Sequence, residues 1–306
     1  MALVLVLVGT GVVAAVGARL ALSRWPSLDP AASSGAVRAV TEEVQDQEVR
    51  RGARRGFVQH RLDPQAATGL ALTLSIAVVV IGGAVLAVLA FVARSNHTTL
   101  RIDRGVTNWA GTNATDLSTT VLKVLTQLGS SVGVITISIV LVIVAAVRTR
   151  HARTRAALTT AAYLAAVVIG QNVIANTLKY VVDRARPTFH PLAGFSGPSF
   201  PSGHATAAFA CYCAFAVVLG RGRGRTVQTN LLAGAIGIAS MIGASRVLLG
   251  VHWLTDVIAG AALGLVWFSL VTIACGGRLL RFGAPVEAGQ RAAELADPVP
   301  AVTVDG

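Results

Sequence analysis

The sequence predicts an all-α fold, a polytopic membrane helical bundle, and three observations carry that expectation. Of 306 residues, 54% are hydrophobic and only 13% charged, a balance that a soluble domain of this size does not have. The apolar residues gather into seven runs, at 2–22, 67–93, 128–147, 156–178, 204–220, 229–247 and 254–275, each close to the roughly 20 residues that cross a bilayer core. The net charge of +12 is compatible with nucleic-acid binding, but the cations lie mostly in alternate loops, which is a topology signal.

Taken in order, run 2–22 lacks a basic start and carries Arg19 and Arg24 at its far end. It reads as a transmembrane anchor rather than a cleaved leader, since cleavage would strand 23–66 on the wrong side. Residues 23–66 mix acids, arginines, Pro26, Pro30 and Pro64, the pattern of a cytoplasmic linker with one helix near 35–60. Its Arg50, Arg51, Arg54, Arg55 and Arg61 orient the second span, or touch anionic lipid beside Phe57. Residues 94–127 read as the largest outer loop, with Trp109 and a periodic stretch over 117–128 suited to the membrane interface. Arg148, Arg150, Arg153 and Arg155 follow the third span, Arg221, Arg223 and Arg225 the fifth, Arg278 and Arg281 the seventh. The tail 276–306, with Pro285, Pro298 and Pro300, is expected to be cytoplasmic and disordered. Cys211, Cys213 and Cys275 fall inside apolar runs at spacings that suit neither a disulfide nor a metal.

If every run crosses, 18 of the 26 Lys and Arg share one side, and the positive-inside rule makes that side cytoplasmic, with the N-terminus outside. The eight on the other side are Arg94, Arg101, Arg104, Lys123, Lys179, Arg184, Arg186 and Arg246. Cations placed against the bias need another reason to be there, and binding an anion is a sufficient one.

Three of those cations belong to short motifs at the ends of apolar runs. Lys179 with Arg186 and Pro187 stands where the fourth span runs out, Asp183, Arg184 and Pro187 marking the exit from helix to loop. A guanidinium fork and a mobile ammonium suit a tetrahedral dianion, although basic residues at a helix end also snorkel. Pro201, Ser202, Gly203 and His204 open the fifth span, where Ser202 can cap the helix and Gly203 admits a ligand to the free N–H groups. His204, in the first turn, has the position of a general acid. Ser245 and Arg246 close the sixth span, and His252 and Asp256 open the seventh. A helix that includes His252 would put Asp256 on the same face, accepting a proton from one imidazole nitrogen and leaving the other to attack phosphorus. The same pair could instead only lock two helices together. Two histidines, a carboxylate and three cations beside a membrane are equipment for breaking a phosphate ester without a metal. Asp103, Asp183, Arg184 and His190 lie nearby, but no spacing rule assigns them work, and they read as loop residues.

The three motifs, in this order, resemble the signature of the type 2 phosphatidic acid phosphatase superfamily over about residues 67–275. The resemblance implies a six-helix phosphatase core, with run 2–22 an additional N-terminal helix. It implies metal-independent hydrolysis without a cofactor, through a phosphohistidine on His252 that Asp256 orients. His204 would protonate the leaving group and then activate water, while Lys179, Arg186, Arg246, Ser202 and the Gly203 N–H hold the phosphoryl oxygens. The substrate would be a lipid phosphate at the extracytoplasmic face of the cell membrane: undecaprenyl or another polyprenyl diphosphate, phosphatidic acid, or phosphatidylglycerol phosphate. Membrane lipids are then the partners, and nucleic acid is not. A phosphotransferase could use the same site. A transporter would place such groups nearer the midplane, and membrane spans argue against a vanadate-dependent peroxidase.

Overall fold

A computed structural model describes residues 1–24, 67–95, 101–148, 153–189, 191–221 and 223–279. The expected linker helix near 35–60, His190 and the tail beyond 279 lie outside the described residues. Among the described residues every regular element is a helix: α1 (Ala2–Arg24), α2 (Ala67–Ser95), α3 (Arg101–Thr112), α4 (Asp116–Gln127), α5 (Ser131–Arg148), α6 (Arg153–Val182), α7 (Gly203–Gly220), α8 (Arg225–Leu248) and α9 (Leu254–Leu279). Six of these, α1, α2, α6, α7, α8 and α9, are long and apolar enough to cross a membrane. Lipid offers no partner to a free backbone polar group, so apolar segments close their hydrogen bonds internally as helices.

The expected third span is the exception. α5 meets the length and hydropathy of a span only together with α4, across a 50° bend. The bend falls at Leu128, Gly129 and Ser130, where the Ser130 hydroxyl accepts from the Gly133 N–H at 3.1 Å. A side chain on Gly129 would collide with Ile242 and lie 3.2 Å from the His204 carbonyl. The missing Cβ therefore lets the bend sit against the first turn of α7.

The expected outer loop over 94–127 is instead mostly two helices. Thr115 caps α4 in a reciprocal box with Ser118, which satisfies donors that a helix start leaves open. α3 buries Asp103, Thr107 and Ala110, and α4 buries Ser118, Leu122 and Thr126. The periodicity of 117–128 thus packs one face of α4 onto the bundle, while Leu117 and Val124 stay exposed.

α7 is the central helix, with 13 of its 18 residues buried. α9 crosses it closely: a Cβ on Gly260 would lie 2.6 Å from the Ser202 carbonyl, and one on Gly264 2.6 Å from that of Thr206. Small residues four apart let two backbones approach in this way. α1 packs on α8, where a Cβ on Gly237 would meet Ala15 and the Gly11 carbonyl at 2.9 Å. Leu3 and Leu7 are buried with Ala110, Leu122, Leu248, Leu249 and Val251, so the start of α1 lies at the same end of the bundle as the loop between α8 and α9.

Candidate active site

The C-terminal ends of α6 and α8 and the N-terminal ends of α7 and α9 meet at that end. α6 stops because Asp183 adopts φ 47°, the left-handed conformation that closes helix C-termini, and its N–H donates to the Lys179 carbonyl at 3.0 Å. The loop that follows is pinned by Ser199 N–H to the Arg184 carbonyl at 2.8 Å and by Leu192 N–H to the Leu249 carbonyl at 2.9 Å. Across the bundle, Ser202 N–H donates to the Asp256 carbonyl and His252 N–H to the Arg246 carbonyl, at 3.0 and 3.3 Å. Backbone contacts thus tie the second and third motifs into one unit.

His252 is 2% exposed and precedes α9, which begins at Leu254. Its Nε2 is 3.1 Å from Arg186 Nη1. Arginine has no acceptor, so Nε2 presents its lone pair and the ring hydrogen sits on Nδ1. Nδ1 faces Asp256 Oδ2 at 3.6 Å, a separation longer than a hydrogen bond. The expected hydrogen bond is not made, and Oδ2 accepts from the Trp253 N–H at 3.0 Å, closing the first turn of α9. Burial pulls the His252 imidazole down to about 4, with Arg186 and Arg246 acting in the same direction and Asp256 against them.

The cations surround this ring. Arg186 is held by the carbonyls of Gly197 (2.8 Å, from Nε), Val251 (2.7 Å, from Nη1), Ser196 and Pro198 (3.1 Å each, from Nη2), and stands 5.3 Å from the Phe195 ring centre. Most of its fork therefore shapes the loop, and Nη1 faces His252. Arg246 is 8% exposed and donates from Nη1 to Thr126 Oγ1 at 3.2 Å, while its buried Nε has no partner. Ser202 occupies the N-cap position of α7 without capping it: its hydroxyl, fully buried, has no partner either. These unpartnered donors are what an anion would satisfy. A Cβ on Gly203 would stand 4.0 Å from Lys179 Nζ, and His204 lies within electrostatic reach of Arg246, His252, Lys179 and Arg186. All eight residues singled out from sequence, Lys179, Arg186, Ser202, Gly203, His204, Arg246, His252 and Asp256, are brought together at this end.

Residues 160–278 match the family model of the PAP2 superfamily. Over this segment the chain is similar to the PAP2 superfamily. It is similar to lipid A 1-phosphatase of Rhizobium johnstonii, 39% identical over 115 residues covering 34% of this chain and 43% of that protein. It is also similar to phosphatidylglycerophosphatase B of Bacillus subtilis, 39% identical over 110 residues covering 34% of this chain and 53% of that protein. The chain thus spans about half the length of the curated relatives it matches. The crystal structure of a transmembrane PAP2-type phosphatidylglycerolphosphate phosphatase from Bacillus subtilis superposes with a TM-score of 0.56 at 28% identity, covering 65% of this chain and 96% of that one.

The candidate site also leans on residues that the motifs do not include. Arg184 is not a solvated loop residue: its Nη1 donates to Asp256 Oδ1 at 2.6 Å and its Nη2 to Asp103 Oδ2 at 2.9 Å. Asp103 belongs to α3 and is fully buried. Thr126, on α4, anchors Arg246. Asp103 and Thr126 lie outside the PAP2 match, 81 residues from Arg184 and 120 from Arg246, so no local spacing could link them. The available signal was Arg184 itself, a cation placed against the topological bias.

Proposed function

We propose that this protein is an integral-membrane lipid phosphatase that hydrolyses phosphate monoester or diphosphate groups at the extracytoplasmic face through a phosphohistidine. The observation that carries the reading is the set of the His252 Nε2 lone pair, Asp256 behind Nδ1, and buried unpartnered donors on Arg246 and Ser202. Nε2 attacks phosphorus as the bond to the leaving oxygen breaks, and His204 supplies the proton that oxygen needs. Asp256 stabilises the positive charge that the imidazole acquires. His204, now neutral, takes a proton from water, the resulting hydroxide attacks phosphorus, and the N–P bond breaks to restore His252 and release phosphate. Lys179, Arg246, Ser202 and the Gly203 N–H offset charge on the phosphoryl oxygens in both steps.

The relatives support a lipid substrate, since their names specify lipid A and a phosphatidylglycerophosphate. The cation placement supports the extracytoplasmic face. The deciding experiment is phosphate release in detergent with excess EDTA, comparing wild type with His252→Ala on polyprenyl diphosphate, phosphatidic acid, phosphatidylglycerol phosphate, lipid A and a soluble monoester. Release from a lipid by wild type alone is expected and ranks the substrates. Equal release by His252→Ala rules out the phosphohistidine route, and transfer of phosphate to a second lipid instead of water makes the protein a phosphotransferase.

A further inference from the structure

We infer that Arg184 and Asp103 are positioning residues for this reaction, fixing the Asp256 carboxylate behind His252. The inference rests on the reading of His252 as nucleophile. Asp256 is fully buried, and its two oxygens are differentiated: Oδ1 accepts from Arg184, while Oδ2 accepts from the Trp253 N–H and faces His252. A carboxylate held at both oxygens cannot turn about its terminal bond. Arg184 is held in turn, bridging to Asp103 Oδ2 and standing 5.7 Å from the Trp253 ring centre. Thr255 locks the third corner. Its hydroxyl accepts from Arg184 Nη1 at 2.7 Å and donates to Asp103 Oδ2 at 2.7 Å, while its N–H donates to Asp103 Oδ1 at 3.0 Å.

Charge makes the arrangement more than a brace. Arg184 alone would neutralise Asp256, leaving little field to meet the charge that forms on His252. Asp103 restores one net negative charge to the buried cluster, on the side of the imidazole away from the phosphate cations. Buried ion clusters contribute little net stability compared with apolar packing, so stability alone does not account for one placed directly behind a nucleophile. Asp103 reaches it from α3, beyond the matched PAP2 segment.

The test uses the full-length protein in detergent with radiolabelled phosphatidic acid, measuring kcat, KM and the amplitude of the SDS-quenched phosphoenzyme burst. Asp103→Asn and Arg184→Gln are expected to lower kcat about 10- to 100-fold, the range for groups that act by orienting a ligand, with KM within about twofold. Arg184→Lys is expected to recover part of the loss, because it keeps the charge without the bridge. The folded fraction, read as the monodisperse peak in size-exclusion chromatography, should stay at the wild-type level. Wild-type kcat in Asp103→Asn or Arg184→Gln overturns the inference, as does a kcat that returns to the wild-type value once normalised to the folded fraction, which is what a role in folding alone produces. Should both variants fail to fold, Thr255→Val keeps every charge and decides: a severalfold fall in kcat is expected, and an unchanged kcat overturns the inference. Absence of phosphoenzyme in wild type would instead remove the phosphohistidine reading, and the inference with it.

Discussion

An imidazole attacks phosphorus only while neutral and with a lone pair on the attacking nitrogen, and the surroundings of His252 favour both conditions. Burial takes it down to about 4 from an ordinary 6.5, and Arg186 selects the tautomer with hydrogen on Nδ1. Nitrogen-15 NMR of histidine-labelled protein, with His252 assigned by its loss in His252→Ala, is expected to show an unprotonated Nε2 at pH 6. A cationic ring at that pH would contradict this account. The sign for stability follows from the same shift. The unfolded chain binds a proton at His252 near pH 6.5 and the folded state near 4, so the contribution is complete above 6.5 and is lost as pH falls toward 4. Arg246 is the second test at this scale. Arg246→Lys keeps a charge but loses the fork that spans Thr126 and the site, and kcat/KM is expected to fall by about 100-fold or more, as when one donor to a developing oxyanion is removed.

Between α7 and α9 the site depends on a close crossing, since His252 and Asp256 stand at the start of one helix and Ser202 and His204 at the start of the other. Gly260→Leu would drive a side chain into the Ser202 carbonyl. It is expected to destabilise by about 1–3 kcal/mol from overpacking and to lower kcat by separating the two histidines, read as a fall in Tm in detergent together with turnover. α1 matters for a different reason. Its Leu3 and Leu7 bury against Leu248, Leu249 and Val251, the segment leading from Arg246 to His252. Leu7→Ala is expected to cost about 2–5 kcal/mol, the range for a buried Leu→Ala cavity, measured by thermal unfolding.

Across the whole molecule, the start of α1 and all three motifs lie at one end of the bundle. Arg221 and Arg223 lie at the far end of α7 from His204. The positive-inside rule then predicts the motif end outside. Single cysteines at Gly194, where a side chain meets nothing within 4 Å, and at exposed Arg223 report the orientation in a Cys275→Ser background. A membrane-impermeant maleimide applied to intact cells is expected to label Gly194→Cys and to spare Arg223→Cys. The reverse pattern would invert the topology and place hydrolysis at the cytoplasmic face.

What the sequence determined by itself was whatever depends on local composition: the helical membrane class, six of the spans, and the eight motif residues, because apolar runs and helix-end residues declare themselves within a few positions. The charge pattern placed Arg184 among eight cations on the outer side, and the residue read as part of a loop. Only the tertiary structure decided that 101–127 folds as α3 and α4 over the site, that α5 begins at a 50° bend, and that Ser202 leaves its cap unmade. It alone set Arg184 between Asp103 and Asp256. Those contacts join residues 72 and more positions apart, and nothing in a linear pattern encodes which buried carboxylate a given arginine will find once the helices have packed.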